Sequence, residues 1–154
     1  MDDGWPMLGV IDQPIVRERW LGVTGRPTRF NGARAHARVC RDLSCALLGT
    51  TSPALFSDDQ LHAFEHLDAA VMSTVLGGDC YNYGCVASGW MDIVVEAGLK
   101  IHDFAALVPI VEGAGGRMCD WNGDPLHAAS NGEVIAAGDP ARVEEIVALL
   151  ACRG

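Results

Sequence analysis

Apolar residues recur at helical spacing from position 61 to 75, where Leu61, Phe64, Leu67, Val71 and Val75 form one stripe with Asp68 as its single polar member. Ser57 and Gln60 supply a capping-box pattern ahead of that stripe, so a helix is expected to start there. Upstream the period shortens to two. The stretch "PMLGVIDQPIVRERWLGVTG" alternates short β-branched runs with turn residues at Asp12-Gln13-Pro14 and Thr24-Gly25-Arg26-Pro27, and reads as strands. "FNGARAHARVC" reads as a polar connection and "CALLGTTSP" as a short buried strand. After the first helix, "GGDCYNYGCVASG" is a glycine-led turn into a helix of small residues, and "WMDIVVEAG" is a strand. "DFAALVPIVEGAGG" reads as a helix with Pro109 inside it, at the cost of one backbone bond. "EVIAAG" is the last strand, and Asp139-Pro140 opens a final helix with Val143, Ile146, Val147 and Leu150 on its inner face. The order β-β-β-α-α-β-α-β-α predicts an α/β fold, a mixed sheet with helices packed on it.

The 154 residues are one domain's worth of chain, with no internal repeat, low-complexity tract or linker. No apolar run approaches the roughly eighteen residues of a membrane span, and "MDDGWPMLGV" carries acids where a signal peptide needs bases. A soluble, cytoplasmic protein is expected. Eleven basic residues against 20 acidic ones give a net charge of −9, which argues against a nucleic-acid partner. The same charge repels phosphate esters unless a cation stands between. The six cysteines, at 40, 45, 80, 85, 119 and 152, form no Cys-x-x-Cys pair. Small buried thiols in a reducing compartment are expected.

Four features carry candidate chemistry. "HAFEH", residues 62 to 66, matches the inverted zinc-peptidase pattern, but His62 and His66 share a helix face with Asp59, opposite the apolar stripe. A third ligand could come from Glu144 or Glu145 only by assumption, so a solvated polar face is the expectation. "GGDC", residues 77 to 80, puts two glycines before a helix whose amides can point at an anion, with Asp79 as its cap. The plainer alternative is a tight turn with an ordinary cap. Glu96 ends a strand at a junction where sheet proteins often bind ligands, and a solvated strand end is its plain alternative. Asp103, ahead of "FAALVPIV", suits an N-cap and is also a candidate metal ligand, although magnesium usually takes more than one carboxylate.

Taken together, "GGDCYNYGCVASGWMDIVVEAGLKIHDFAALVPIVEGAGG" resembles the second half of the inositol-monophosphatase-like phosphatases, and particularly their histidinol-phosphatase branch. His102-Asp103-Phe104 through Glu112-Gly113-Ala114-Gly115-Gly116 is similar to that family's second signature. "GVIDQPI", "TTSP", "DWNGDPL" and "AAGDP" extend the likeness over nearly the whole chain. The resemblance implies the second half of an α-β-α-β-α sandwich. It implies that Asp103 binds Mg²⁺, that Gly78, Asp79 and Cys80 form a substrate-binding turn, and that Glu96 contacts the organic part of the substrate. It also implies hydrolysis of a small phosphorylated substrate, histidinol phosphate foremost, whose ammonium suits two acids while magnesium neutralises the phosphate and activates a water. An inositol or sugar phosphate is the alternative, and a non-catalytic half-fold that binds a partner is another.

Two departures qualify the likeness. The family's first-half metal motif, a Glu and then Asp-Pro-Ile/Leu-Asp-Gly-Thr, is absent from the 154 residues, so residues 1–154 are expected to be a C-terminal portion lacking its N-terminal metal-binding part. Such a portion is expected to be inactive alone, and to form a homodimer or pair with a complementing N-terminal half. Its first strand would leave a sheet edge or apolar face uncovered. Val75 stands where the branch commonly has Arg ahead of the glycine turn, which removes a positive charge from substrate positioning or subunit contact.

Overall fold

The computed structural model describes residues 1–152. The chain opens with β1 (Leu8–Gln13) and β2 (Glu18–Val23), paired antiparallel from Leu8 opposite Val23 to Gln13 opposite Glu18. The segment expected as a polar connection instead folds back on itself. Asn31 and Gly32, both at positive φ, turn β3 (Arg29–Phe30) into β4 (Ala33–Arg34) and complete a four-stranded sheet in sequential order. Asn-Gly is the pair that a tight hairpin turn selects.

A second sheet has the order β6-β5-β7-β9-β8, built from β5 (Leu47–Thr50), β6 (Ser73–Leu76), β7 (Ile93–Glu96), β8 (Arg117–Cys119) and β9 (Val134–Ala137). The strands β6, β5 and β7 run parallel, whereas β9 is antiparallel to both β7 and β8. Helix α1 (Asp58–Ala70) connects β5 to β6, and α2 (Cys80–Ala87) connects β6 to β7. Then follow α3 (Ile101–Phe104), α4 (Val108–Gly113) and, at the end, α5 (Val143–Leu150).

Alternation along the second sheet feeds two cores. Val94, Val134 and Ala136 face α2, α4 and the inner side of the first sheet, where they meet Trp20, Tyr83, Phe104 and Ile110. Leu48, Ile93, Val95 and Ile135 face α1 and α5, where they meet Phe64, Leu67, Ile146 and Leu150. The layers therefore run sheet, helices, sheet, helices, which is the expected α/β architecture.

The first sheet lies hard against α4 and the short link ahead of it. Gly9 and Gly22, paired across β1 and β2, leave a slot without side chains. A Cβ at Gly9 would stand 1.7 Å from the Ala106 carbonyl oxygen, and one at Gly22 would stand 2.5 Å from the Ile110 nitrogen. Buried Thr28 Oγ1 closes the same seam by donating to the Ile110 carbonyl at 2.7 Å.

Several elements differ from their expected form. The first helix has its capping box, with Ser57 Oγ accepting from Gln60 N at 3.3 Å, but it ends at Ala70. Val71 is its C-cap, and Val75 lies in edge strand β6, because the β-branched run from Ser73 pairs with β5. Asp68 leaves the inner stripe for the surface, where it accepts from Thr74 Oγ1. The helix expected from Asp103 to Gly116 is two pieces, and Pro109 sits in the first turn of the second, where its missing N–H costs nothing. The short strand β8 was not expected at all. Of the six thiols, all unpaired, only Cys40 and Cys119 are buried, and Cys45, Cys80 and Cys152 are exposed.

Candidate functional site

The parallel strands point their C-terminal ends at one place. The strands β6 and β7 flank β5, and their connecting helices lie on opposite faces of the sheet, which makes the end of β5 a switch point where α/β sheets open a crevice. A pocket of about 510 Å³ lies there. Thr51 follows β5, Asp79 and Cys80 follow β6, Glu96 ends β7, and His102 and Asp103 come from α3; all six line it. The expected residues Asp79, Cys80, Glu96 and Asp103 are thus brought together. Gly78 is not a lining residue. At φ 96° it shapes the turn instead, and a Cβ there would lie 2.3 Å from Asn82 Oδ1. Buried Asn82 holds the turn by donating from Nδ2 to the Gly77 carbonyl at 2.7 Å.

Asp79 stands at the N-cap of α2, but its side chain does not cap the helix. Its φ of 45° is one that few residues other than glycine adopt, and no hydrogen bond to its carboxylate is formed within residues 1–152. The expectation of an ordinary cap fails here for that reason. A carboxylate that pays backbone strain and takes none of its own helix's amides is open to a ligand.

Glu96 is the opposite case. It is 5% exposed, and both of its oxygens are engaged. Oε1 accepts from Thr51 N at 3.0 Å and from Thr51 Oγ1, while Oε2 accepts from Tyr83 OH at 2.8 Å. Burial of Tyr83, reinforced by the Glu96 charge beside it, pushes the phenol well above its ordinary pKa, so it stays a donor. Partial burial of its sulfur at the pocket wall, and then the charge of Asp79, push the Cys80 thiol up although the residue as a whole is exposed, so a thiolate nucleophile is not poised there.

Asp103 is not the N-cap of its helix. It lies in the third helical position, and its Oδ2 reaches back to accept from Lys100 N at 2.7 Å. Its Oδ1 lies 3.5 Å from His102 Nε2. One oxygen thus does a cap's work and the other faces an imidazole. No Lys or Arg lines the pocket. Among the described residues no group of three or more His, Cys, Asp and Glu is arranged to hold a metal. Asp79, Glu96 and Asp103 alone therefore do not make the octahedral oxygen site that magnesium demands.

His62 and His66 lie on the exposed face of α1, ring centroids 4.9 Å apart, with Glu65 Oε2 3.9 Å from His62 Nδ1. Thr51, Tyr83, Asn82 and His102 are the site residues that sequence reasoning missed. Tyr83 was within reach, since it falls one helical turn after Asp79 and so shares its face. Among the described residues no helix is long and apolar enough to cross a membrane.

Comparison with known proteins follows the same lines. The model of the inositol monophosphatase family matches residues 1–153. The chloroplastic bifunctional phosphatase IMPL2 of Arabidopsis thaliana is 47% identical over 143 residues, covering 88% of this chain and 41% of that protein. A histidinol-phosphatase of Mycobacterium tuberculosis is 32% identical over 129 residues, covering 80% of this chain and 50% of its own. Among solved structures, an inositol monophosphatase from Zymomonas mobilis superposes with a TM-score of 0.95 at 54% identity, covering 97% of this chain and 59% of that one. The chain thus spans about half the length of the curated relatives it matches.

Proposed function

The chain belongs to the inositol monophosphatase family, and from that premise we propose that it forms the substrate-facing portion of a metal-dependent phosphomonoesterase acting on an inositol or sugar monophosphate. The observation that carries this reading is the convergence of three parallel strand ends on a pocket where Asp79 keeps its carboxylate free. A free carboxylate accepts from the hydroxyls of a polyol, and Glu96, fixed by Thr51 and Tyr83, supplies a second acceptor that does not move. Bound magnesium supplies charge neutralisation at the phosphate and an acidified water. Asp103 would contribute one ligand to it, and residues 1–152 alone do not complete the site.

Residues 1–154 then act as a C-terminal portion that is inactive by itself. Its uncovered surfaces support the two partners expected for it. Leu8 and Val10 on the outer face of the first sheet are 60% and 45% exposed, an apolar face suited to a complementing N-terminal half. The edge strand β6, with its last residue Leu76 and the preceding Met72 exposed, suits a homodimer contact. The substrate-binding turn of Gly78, Asp79 and Cys80 serves both substrate readings.

The histidinol-phosphate reading stands second. It is favoured by the pocket's excess of acid, which suits an ammonium, and by the name of the Mycobacterium tuberculosis relative. Phosphate release by the protein isolated from its own cell, with Mg²⁺ and either inositol 1-phosphate or histidinol phosphate, separates the two. Faster release from inositol phosphate is expected, and a clear preference for histidinol phosphate reverses the order. A magnesium titration of the 154-residue chain that reveals a tight site would sink the claim that its ligands are incomplete.

A further inference from the structure

Helix α1 carries a pair of histidines that the pocket does not use. His62 and His66 are four residues apart, so they stand one above the other on one face. Both are exposed, and their ring centroids lie 4.9 Å apart with the rings at 74°. An imidazole ligated at about 2.1 Å has its ring centre about 3.2 Å from the metal, so two ligated rings stand about 4.5 Å apart at an octahedral angle and about 5.2 Å apart at a tetrahedral one. The observed spacing falls between the two. Glu65 Oε2 lies 3.9 Å from His62 Nδ1. That acid stands beside one ring nitrogen and leaves Nε2 for a metal, as where a carboxylate orients a ligating histidine. Among the described residues no third His, Cys, Asp or Glu completes a metal site with the pair, so the zinc-peptidase pattern of residues 62 to 66 lacks its third ligand.

The face that carries the pair is open. The helices α1 and α5 make the last layer of the fold, and the outer face of the first sheet, suited to a complementing half, is at the other end of the stack. Asp68, which accepts from Thr74 of the edge strand β6, lies about 200° round the helix from His66. The pair thus turns away from the edge suited to a homodimer as well. We propose that His62 and His66 form a two-point chelate for a borderline divalent transition metal, of the class of Zn²⁺, Ni²⁺ and Cu²⁺, with water in its other positions. Imidazole suits these ions, whereas Mg²⁺ takes oxygen. The site therefore differs in kind from the magnesium proposed at Asp103 and does not depend on the catalytic reading. Because the chelate exists only while residues 62 to 66 are helical, bound metal clips the helix and stabilises the fold.

Calorimetric titration of the protein isolated from its own cell, with its accessible thiols alkylated and Mg²⁺ in excess, tests it. The magnesium fills oxygen sites and leaves imidazoles free. Ni²⁺ should bind with saturation, Cu²⁺ more tightly and Co²⁺ less. His62→Gln and His66→Gln should each weaken Ni²⁺ binding by about tenfold or more, since either leaves a single ligand. Glu65→Gln should weaken it less than either, and Asp103→Asn should leave it unchanged. Ni²⁺ should also raise the thermal unfolding midpoint of the parent protein, but not that of the His62→Gln variant. Absence of Ni²⁺ binding beside excess Mg²⁺ overturns the proposal. So does a single-histidine variant that binds as tightly as the parent, which would mean attachment at one point or elsewhere.

Discussion

Replacing Gly9 by alanine tests the seam on which the candidate site hangs. The new methyl would lie 1.7 Å from the Ala106 carbonyl oxygen, 2.5 Å from its carbon and 2.8 Å from its Cα. All three are backbone atoms, so no side chain can swing aside. Ordinary contact needs about 3.5 Å, so the sheet and the α3–α4 segment must part by nearly 2 Å. That movement breaks the 2.7 Å bond from Thr28 Oγ1 to Ile110, worth about 1 kcal/mol. It also adds overpacking of about 1–3 kcal/mol. Against these, alanine lowers the entropy of the unfolded chain and returns about 0.4–1 kcal/mol. The net loss is about 1–3.5 kcal/mol. Urea unfolding followed by tryptophan fluorescence should show a midpoint lower by about 0.5–1.8 M at unchanged slope, for a slope near 2 kcal/mol/M. The contrast is Gly25→Ala, where nothing lies within 4 Å and only the φ of 76° is paid, at about 1 kcal/mol. An unchanged or higher midpoint for Gly9→Ala would refute the close approach, because entropy alone predicts that sign. Ala106 is three residues from Asp103, so the same substitution should also displace the proposed metal ligand.

Other expectations rest on single contacts. Asp79→Asn should change stability by less than about 0.5 kcal/mol, because the carboxylate caps nothing, whereas Ser57→Ala should cost about 1 kcal/mol through its capping box; denaturation of both variants decides it. Burial alone would raise the Asp92 carboxyl, but hydrogen bonds from Arg38 and from Leu47 N, with the Arg38 charge, hold it below its ordinary value. Its contribution is therefore present above the usual carboxylate range and lost as pH falls through the lowered value. Arg38→Gln should cost roughly 2 kcal/mol, less than a fully buried pair because Arg38 is half-exposed, and should move acid unfolding to higher pH. Both tyrosines of the chain resist ionisation: the Tyr81 hydrogen bond to Glu18 and then burial push it up to about 12, and burial takes Tyr83 well above its ordinary value. The stability each lends is whole below pH 10 and is lost as pH rises toward the folded value, so phenolate absorbance should appear with unfolding and not before. Glu18→Gln should lower the Tyr81 transition.

Periodicity made the long elements legible. The capping box at Ser57, the buried run of β7 and the Asp139-Pro140 start were all readable because local chemistry and final burial agree there. Short elements were not readable, because two or three residues such as Arg29–Phe30 or Arg117–Cys119 carry no period and become strands only by pairing. The false extension of the first helix to Val75 has the same cause, since a β-branched run fits either period and β5 decided it. In the site, residue types and order named Asp79, Glu96 and Asp103. They could not tell that the Asp79 side chain caps nothing, that both Glu96 oxygens are engaged, or that Asp103 sits at the third position of its helix and not at its cap. Those facts depend on Thr51, Tyr83 and Lys100, which lie far along the chain or act through backbone amides.

The central strand β7 contributes Ile93 and Val95 to one core and Val94 to the other, with β5 and β9 bonded along its two sides. Its amides should be among the last to exchange with deuterium, opening only when the whole molecule does. Glu96 shares that lifetime as the last residue of the strand. Asp103 stands on a four-residue helix, whose amides open by local fluctuation. One wall of the pocket thus keeps the clock of global unfolding and the facing wall a much faster one. The wall that holds Asp103 can therefore yield and re-form many times while Glu96 keeps its place.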